Sequence, residues 1–214
     1  GGKGGGDLKE FSTSPKVNIV ALCDVDDRRA AESRQRFPKA KYYKDFREML
    51  DKEKKNIDAC SISTPDHVHA IATLSAMQLG KHVYTQKPLT HDIYEARLLA
   101  GAAKRYKVVT QMGNQGGSSD GVRQAKEMYE AGLLGEVTQV YVWTNRPVWP
   151  QALPTPTGHF DVPQELNWDL WLGPAKYIDY HPSYLPFNWR GWNAFGTGAL
   201  GDMACHLMDP VFRL

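Results

Sequence analysis

A lysine followed by a proline, Lys87-Pro88, ends the short β-branched and aromatic run His82-Val83-Tyr84-Thr85. Proline cannot donate to a sheet ladder, and it restricts the preceding residue to an extended conformation. We therefore expect Lys87 to lie at the carboxyl end of a strand, with its ammonium group pointing off the sheet. Ligands bind at that edge of open parallel sheets, although a solvated lysine at a strand end satisfies the same pattern.

Other polar residues follow predicted strands in the same way. Asp24 follows the apolar run 17–23, the segment Ser63-Thr64-Pro65-Asp66-His67 follows the run 57–62, and Asn114 and Gln115 follow the run 108–111. The hydroxyl groups of Ser63 and Thr64 and the helix that starts near Pro65 and His67 can line a nucleotide site. A helix cap explains 64–66 equally well without any function.

Glycines at the start of the chain suggest a dinucleotide site. Gly1 and Gly4 fit the second and third glycines of G-x-G-x-x-G, and Asp24 lies twenty residues after Gly4, at the position of the acid that hydrogen-bonds the adenosine ribose. A carboxylate there repels a 2′-phosphate, so the pattern favours NAD over NADP. A glycine-rich tail and a strand-end cap are the alternatives.

The periodicity predicts alternating strands and helices up to residue 144. We expect a weak helix at 8–12 and a last strand at 137–144. The other predicted strands are 17–23, 41–43, 57–62, 82–85 and 108–111, and the other predicted helices are 27–37, 46–50, 67–79, 92–106 and 121–131. This alternation predicts an α/β fold with a doubly wound parallel Rossmann sheet.

The strand that precedes the glycines in such a sheet is absent from the sequence. In strand order 3-2-1-4-5-6 that first strand lies between the strand ending at Asp24 and the strand ending at Ser63. We therefore expect a gap there, and we expect residues 1–214 not to fold alone. We expect both ends of the chain to lie inside a longer protein.

Composition changes near residue 145. All six tryptophans and nine of the thirteen prolines lie between Trp143 and Pro210. We predict a dinucleotide-binding domain over 1–145 and the beginning of a second α/β domain for substrate or oligomerisation over 146–214. Aromatic faces beside polar groups suit a carbohydrate, although at least half of the tryptophans are expected to be core. The substrate-binding candidates here are Trp149, Tyr184, Trp189 and Arg190.

Composition excludes several classes of protein. The net charge of +2 gives no basic patch for nucleic acid, and no apolar run is long enough to span a bilayer. The three cysteines, Cys23, Cys60 and Cys205, show neither metal-ligand nor disulfide spacing, so no metal site is predicted. The sequence assigns no compartment.

Four motifs occur in order along nearly the whole chain: Asp24 after its strand, 63–69, 80–88, and the run 198–206, Gly-Ala-Leu-Gly-Asp-Met-Ala-Cys-His. In these motifs the chain resembles the glucose-fructose oxidoreductase/inositol dehydrogenase (Gfo/Idh/MocA) family. The resemblance implies an N-terminal Rossmann domain that binds NAD(P), and a C-terminal α/β domain whose open sheet faces the nicotinamide.

The resemblance also implies site residues. Lys87 matches the catalytic lysine of a Glu-Lys-Pro motif, with Gln86 in place of the glutamate, and Asp202 and His206 match an Asp-x-x-x-His pair. Four residues apart on a helix, this pair shares one face, with Cβ atoms roughly 6 Å apart. His206 is then the base for a substrate hydroxyl, Asp202 orients it or holds a neighbouring hydroxyl, and Lys87 polarises the reacting oxygen.

The leading hypothesis is an NAD-dependent oxidoreductase acting on a sugar, polyol or glycoside, and a homo-oligomer when full length. One alternative is a glycoside hydrolase or lyase that uses tightly held NAD for transient oxidation. The other is a non-catalytic dinucleotide- or sugar-binding protein that has kept the fold.

Overall fold

Strands and helices alternate through the first 113 residues, as the sequence predicts. The computed structural model describes residues 1–213. Its strands are β1 (Ala21–Cys23), β2 (Lys41–Tyr43), β3 (Ala59–Ile62), β4 (His82–Gln86) and β5 (Thr110–Gly113). Its helices are α1 (Gly2–Phe11), α2 (Asp27–Arg36), α3 (Phe46–Glu53), α4 (Asp66–Gln78), α5 (Ile93–Tyr106), α6 (Asp120–Glu130), α7 (Trp168–Leu172), α8 (Gly198–Leu207) and α9 (Asp209–Arg213).

All strand pairs are parallel, and they form two separate groups. β1 pairs with β2, while β3, β4 and β5 form a sheet in that order. Within residues 1–213, β1 and β3 each keep one edge without a hydrogen-bonded strand, and both border a cavity of about 1420 Å³. The predicted parallel α/β fold is confirmed, with the gap where the strand order places it. Folding of residues 1–214 alone stays a prediction.

The core of the first half lies between α4, α5 and the three-stranded sheet. Ala76, Met77, Leu99 and Val83 are 1–5% exposed and pack in one cluster. The hydroxyl groups of Thr73 and Thr85 lie 2.8 Å apart, so these two buried groups of α4 and β4 satisfy each other. This packing fixes the carboxyl end of β4, where Lys87 follows.

Two predicted elements are wrong. Helix α1 begins at Gly2 rather than at Leu8, because Lys3 pairs with Asp7 at 2.7 Å and Phe11 packs edge-on against Tyr84 at 5.0 Å between ring centroids. These contacts offset the poor helix propensity of the glycines. The predicted strand 137–144 does not form: no described residue pairs with it, and its apolar side chains stay exposed, Trp143 at 80%.

The second part of the chain packs around aromatic side chains. Trp168, Trp171, Tyr184, Trp189 and Phe195 form one buried cluster, and Phe195 is fully buried. Residues 114–213 contain helices and turns without a strand element. The predicted division near residue 145 stays a prediction. No helix within residues 1–213 has both the length and the apolar character needed to cross a membrane.

Candidate active site

Lys87 reaches from the end of β4 to helix α8. Its Nζ donates to Asp202 Oδ1 at 2.6 Å and to the Asp202 carbonyl oxygen at 2.9 Å. The two side chains are only 13% and 12% exposed, and Arg190 Nε lies 3.6 Å from the same Oδ1. The structure therefore joins the Lys-Pro turn to the Asp-x-x-x-His helix through one buried ion pair.

His206 lies one turn after Asp202 on α8 and faces the segment that follows β5. An ideal Cβ built on Gly116 would be 4.0 Å from His206 Nδ1. Burial lowers the pKa of His206 below 6.5, the nearby ammonium of Lys87 lowers it further, and Asp202 opposes both. The imidazole is therefore neutral at neutral pH and can accept a proton.

The glycine-rich start of α1 lies beside Asp24. The backbone nitrogen of Gly1 lies 2.9 Å from Asp24 Oδ2, and Asp24 Oδ1 accepts from the backbone N–H of Asp26 at 3.1 Å. A Cβ on Gly1 would lie 2.7 Å from Arg29 Nε, and one on Gly4 would lie 3.4 Å from Ser63 Cβ. The glycines therefore bring the backbone close to both neighbouring strand ends.

Ser63, Thr64, Pro65 and Gln86 border the same cavity as these glycines and Lys87. Ser63 donates to Asp7 Oδ2 at 2.8 Å, and Gln86 Nε2 donates to the same oxygen at 2.9 Å. Thr64 Oγ1 donates to the Pro65 carbonyl oxygen at 3.3 Å. The predicted strand-end residues therefore converge on one edge of the sheet.

Asn114 supplies the test of whether a dinucleotide fits. It follows β5 at this edge and is 8% exposed, yet its amide oxygen and nitrogen have no hydrogen-bond partner within the described residues. Buried polar groups are normally paired, so this amide has hydrogen-bonding capacity that the described residues leave unused. The glycine-rich start of α1, the carboxylate of Asp24 and the cavity that they border fit an NAD molecule. Gln115 lies in the 3₁₀ turn Gln115–Ser118.

Other predicted site residues lie away from the cavity. Both ring nitrogens of His67 face carbonyl oxygens, of Phe195 at 3.2 Å and of Trp171 at 3.1 Å, and burial lowers its pKa to about 4. His67 thus joins α4 to the aromatic cluster. Trp149 and Tyr184 are 3% and 5% exposed and pack against aromatic rings.

Of the four substrate-binding candidates predicted in the second part of the chain, Trp189 and Arg190 border the cavity. The guanidinium carbon of Arg190 lies 4.2 Å from the centre of the Trp189 ring and 4.3 Å from that of Phe187. Burial lowers the pKa of Arg190, and Asp202 opposes that effect. The two rings hold the guanidinium in place beside Asp202.

Sequence reasoning missed two buried acids at this edge. Asp7 lies just before the predicted helix 8–12, and only its spacing of four from Lys3 indicates that the helix begins earlier. Asp66 Oδ2 accepts from the backbone N–H and hydroxyl of Thr197 at 3.2 and 3.0 Å, and burial raises the pKa of this carboxyl. The pairing of Asp66 with Thr197 spans 131 residues, and no local pattern reveals it.

Two family models match the chain. Residues 2–114 match the GFO_IDH_MocA model, described as oxidoreductase family, NAD-binding Rossmann fold. Residues 119–214 match the GFO_IDH_MocA_C2 model, described as oxidoreductase family, C-terminal alpha/beta domain.

Three similar proteins carry functional names. Levoglucosan dehydrogenase from Pseudarthrobacter phenanthrenivorans is 24% identical over 93% of this chain and 43% of its own length. A glycosyl hydrolase family 109 protein from Shewanella pealeana is 30% identical over 64% of this chain and 32% of its own length. The crystal structure of myo-inositol 2-dehydrogenase from Lactobacillus plantarum has a TM-score of 0.59 and 27% identity, covering 64% of this chain and 40% of its own.

The chain spans less than half the length of each of these proteins. The two family models nevertheless cover almost all of its residues, and they do so in the order of the two predicted parts. The chain therefore belongs to the Gfo/Idh/MocA oxidoreductase family, with an NAD-binding Rossmann fold followed by the family's C-terminal α/β domain.

Proposed function

We propose that the protein is an NAD-dependent oxidoreductase that acts on a hydroxyl-bearing carbon of a sugar, polyol or glycoside. The observation that carries the proposal is the buried pair of Lys87 and Asp202, at 2.6 Å between the end of β4 and α8. It sets an ammonium group from the nucleotide-binding half beside the helix that carries His206.

Each residue of this group has a distinct role in the proposal. His206, held neutral at neutral pH, accepts the proton of the substrate hydroxyl at an imidazole nitrogen. Lys87 donates a hydrogen bond to the reacting oxygen and stabilises the negative charge that develops there. Asp202 holds the Lys87 ammonium in place. When bound, NAD supplies the acceptor for the hydride that leaves the same carbon.

Cofactor choice rests on Asp24. Its carboxylate lies beside the glycine-rich start of α1, with the side chain 25% exposed. In this position it accepts hydrogen bonds from ribose hydroxyls and repels a 2′-phosphate, which favours NAD. The rest of the cofactor's cavity is bordered by Gly1, Gly4, Ser63, Thr64, Pro65, Gln86 and Lys87. Asn114 and Gln115 lie at the end of β5.

The substrate class follows from the cavity wall and from the relatives. Arg190 borders the cavity and offers a polar fork for hydroxyl groups, and Trp189, which stacks against its guanidinium group, forms part of the apolar wall. Two of the similar proteins are named for levoglucosan and for myo-inositol, both hydroxyl-rich ring compounds.

The test is a screen of sugars, polyols and glycosides with the whole protein and NAD, following NADH absorbance. The wild type should form NADH with at least one of them. Lys87→Ala should lower kcat/KM by about 10³-fold with a folded protein, because it removes charge stabilisation at the reacting oxygen. Lys104→Ala, on the exposed side of α5, is the matched control. Full turnover by Lys87→Ala would contradict the proposal.

NAD-assisted glycoside cleavage is the second candidate, favoured by the likeness to the glycosyl hydrolase family 109 protein. In that case the oxidation is transient, and the hydride returns before product leaves. Cleavage of a glycoside without net NADH formation would support this candidate, whereas net NADH from free sugars supports the dehydrogenase. If the protein binds NADH but turns over neither kind of substrate, the non-catalytic alternative remains.

A further inference from the structure

A line of polar contacts runs from the glycine-rich helix to Lys87. Lys3 Nζ lies 2.7 Å from Asp7 Oδ1, and Asp7 Oδ2 accepts from Gln86 Nε2 at 2.9 Å. The other end of the Gln86 amide, Oε1, accepts from the backbone N–H of Lys87 at 3.3 Å. The Gln86 side chain therefore bridges a carboxylate on α1 and the backbone of Lys87.

The Gln86 amide has little room to move. Gln86 is 3% exposed and Asp7 is 5% exposed. A Cβ on Gly113 of β5 would lie 2.7 Å from Gln86 Nε2 and 2.8 Å from Gln86 Cδ. The side chain lies flat against the glycine backbone, so the amide is held in the orientation that serves both of its partners.

The negative charge of the Asp7 carboxylate determines which side chain is favourable at position 86. An amide nitrogen donates to the Asp7 carboxylate, whereas a glutamate would set two carboxylates within hydrogen-bond distance in a buried site. One of them would then have to take up a proton or move away. A carboxylate on α1 and an amide at the end of β4 are therefore a complementary pair.

We propose that Asp7 is a positioning residue for Lys87, acting through Gln86, and that its carboxylate makes a neutral amide necessary at position 86. The inference rests on the proposed function for the role of Lys87. The Asp7 carboxylate accepts a hydrogen bond from the Gln86 amide, and the amide oxygen accepts from the backbone N–H of Lys87. Lys87 is thereby positioned so that its ammonium group donates to Asp202.

The experiment is a double-mutant cycle in the whole protein, with Asp7→Asn, Gln86→Glu and both together. Gln86→Glu should lower the denaturation midpoint and reduce kcat/KM about 10- to 100-fold at neutral pH. The double variant should recover most of both losses, because the asparagine amide on α1 can then donate to the carboxylate introduced at the end of β4. Asp51→Asn, an exposed aspartate on α3, is the matched control and should behave as the wild type.

A pH series separates this pairing from a merely structural role. Two carboxylates in one site raise the pKa of one of them, and a raised carboxyl pKa means that stability is lost as pH rises through it. Gln86→Glu should therefore lose more stability than the wild type between about pH 4 and about pH 7, and the double variant should not. Asp7→Asn alone should lower kcat more than it raises the substrate KM.

Either of two results would refute the pairing of Asp7 with Gln86: a Gln86→Glu variant as stable and active as the wild type, or a double variant no better than Gln86→Glu. An Asp7→Asn variant that changes only the substrate KM would also refute the positioning of Lys87. If the wild type turns over no substrate, the proposed function fails, and the stability cycle still decides whether Asp7 and Gln86 form the required pair.

Discussion

The polar edge at the end of β4 and the aromatic cluster of residues 166–195 differ in what they bury. The edge buries Asp7, Gln86 and Asp202, and each has a hydrogen-bonding partner. The aromatic cluster instead buries rings, with Trp168 and Trp171 stacked at 4.8 Å and Phe195 edge-on to Trp171 at 4.7 Å. The packed rings stabilise the fold through burial of apolar surface, whereas the hydrogen-bonded polar pairs fix the orientation of individual side chains.

The two regions meet at α4. The backbone N–H of His67 donates to the Phe195 carbonyl oxygen at 3.2 Å, and Asp66 accepts from Thr197 at the start of α8. The aromatic cluster therefore fixes the position of α8. The polar edge contacts Asp202 on that helix through Lys87. Substitutions in the aromatic cluster should mainly lower the free energy of unfolding, whereas substitutions at the polar edge should mainly lower kcat/KM.

Removing the proposed base should give the largest change in activity. His206→Gln should lower kcat/KM by about 10²- to 10⁴-fold with little loss of stability, because general-base catalysis disappears. In the wild type the rate should fall as pH falls through the lowered pKa of His206, below 6.5, since the protonated imidazole cannot accept a proton. Lys87, Asp202, Lys3 and Arg146 set the charge around this group.

The measurement is kcat/KM against pH for the wild type, His206→Gln and the exposed control His159→Gln. The acidic limb should be present in the wild type and the control and absent in His206→Gln. The same limb in all three proteins would assign the base to another residue.

Truncating the centre of the aromatic cluster should give the largest loss of stability. Phe195 is 0% exposed, so Phe195→Ala should cost about 3–5 kcal/mol of unfolding free energy. Phe212→Ala, at a position that is 90% exposed, is the control and should change little. Denaturant titration of the whole protein measures both. An unchanged midpoint for Phe195→Ala would remove the distinction between the two regions.

Removing the carboxylate near the glycines should change cofactor choice more modestly. Asp24→Ala should weaken NADH binding by about tenfold, the effect of about 1.4 kcal/mol, and weaken NADPH binding less or strengthen it. Fluorescence titration with both cofactors measures this, with Asp58→Ala as an exposed control. Equal losses for both cofactors would show that Asp24 does not select between them.

The smallest effect is expected where the two regions meet. Burial raises the pKa of Asp66, so its ionisation opposes folding, and stability is lost as pH rises from the unfolded pKa near 3.8 through the folded one. Asp66→Asn keeps an oxygen for Thr197 and should change unfolding free energy by less than about 1 kcal/mol at neutral pH. It should also remove this pH dependence. A loss of several kcal/mol would show that the charge itself holds α8.

Prediction from sequence was most successful where local patterns carry the information. The apolar runs before Asp24 and Ser63 predicted where strands β1 and β3 end, and the predicted helices 27–37 and 92–106 match α2 and α5 to within one residue. It failed for 137–144, where an apolar run has no neighbouring strand, and for Asp7, where glycines concealed a helix that tertiary contacts stabilise. Strand formation and glycine-rich helices both depend on partners distant in the chain.

The sequence by itself determined the alternating α/β pattern, the strand ends that carry Asp24, Ser63 and Lys87, and the helical spacing of Asp202 and His206. These features depend on neighbouring residues, so periodicity reveals them. Only the tertiary structure decided that Lys87 meets Asp202 across 115 residues, that Gln86 lies between Asp7 and Lys87, and that Tyr184 packs as core. Such contacts are set by how whole elements pack, because the burial that makes them strong is a property of the assembled fold.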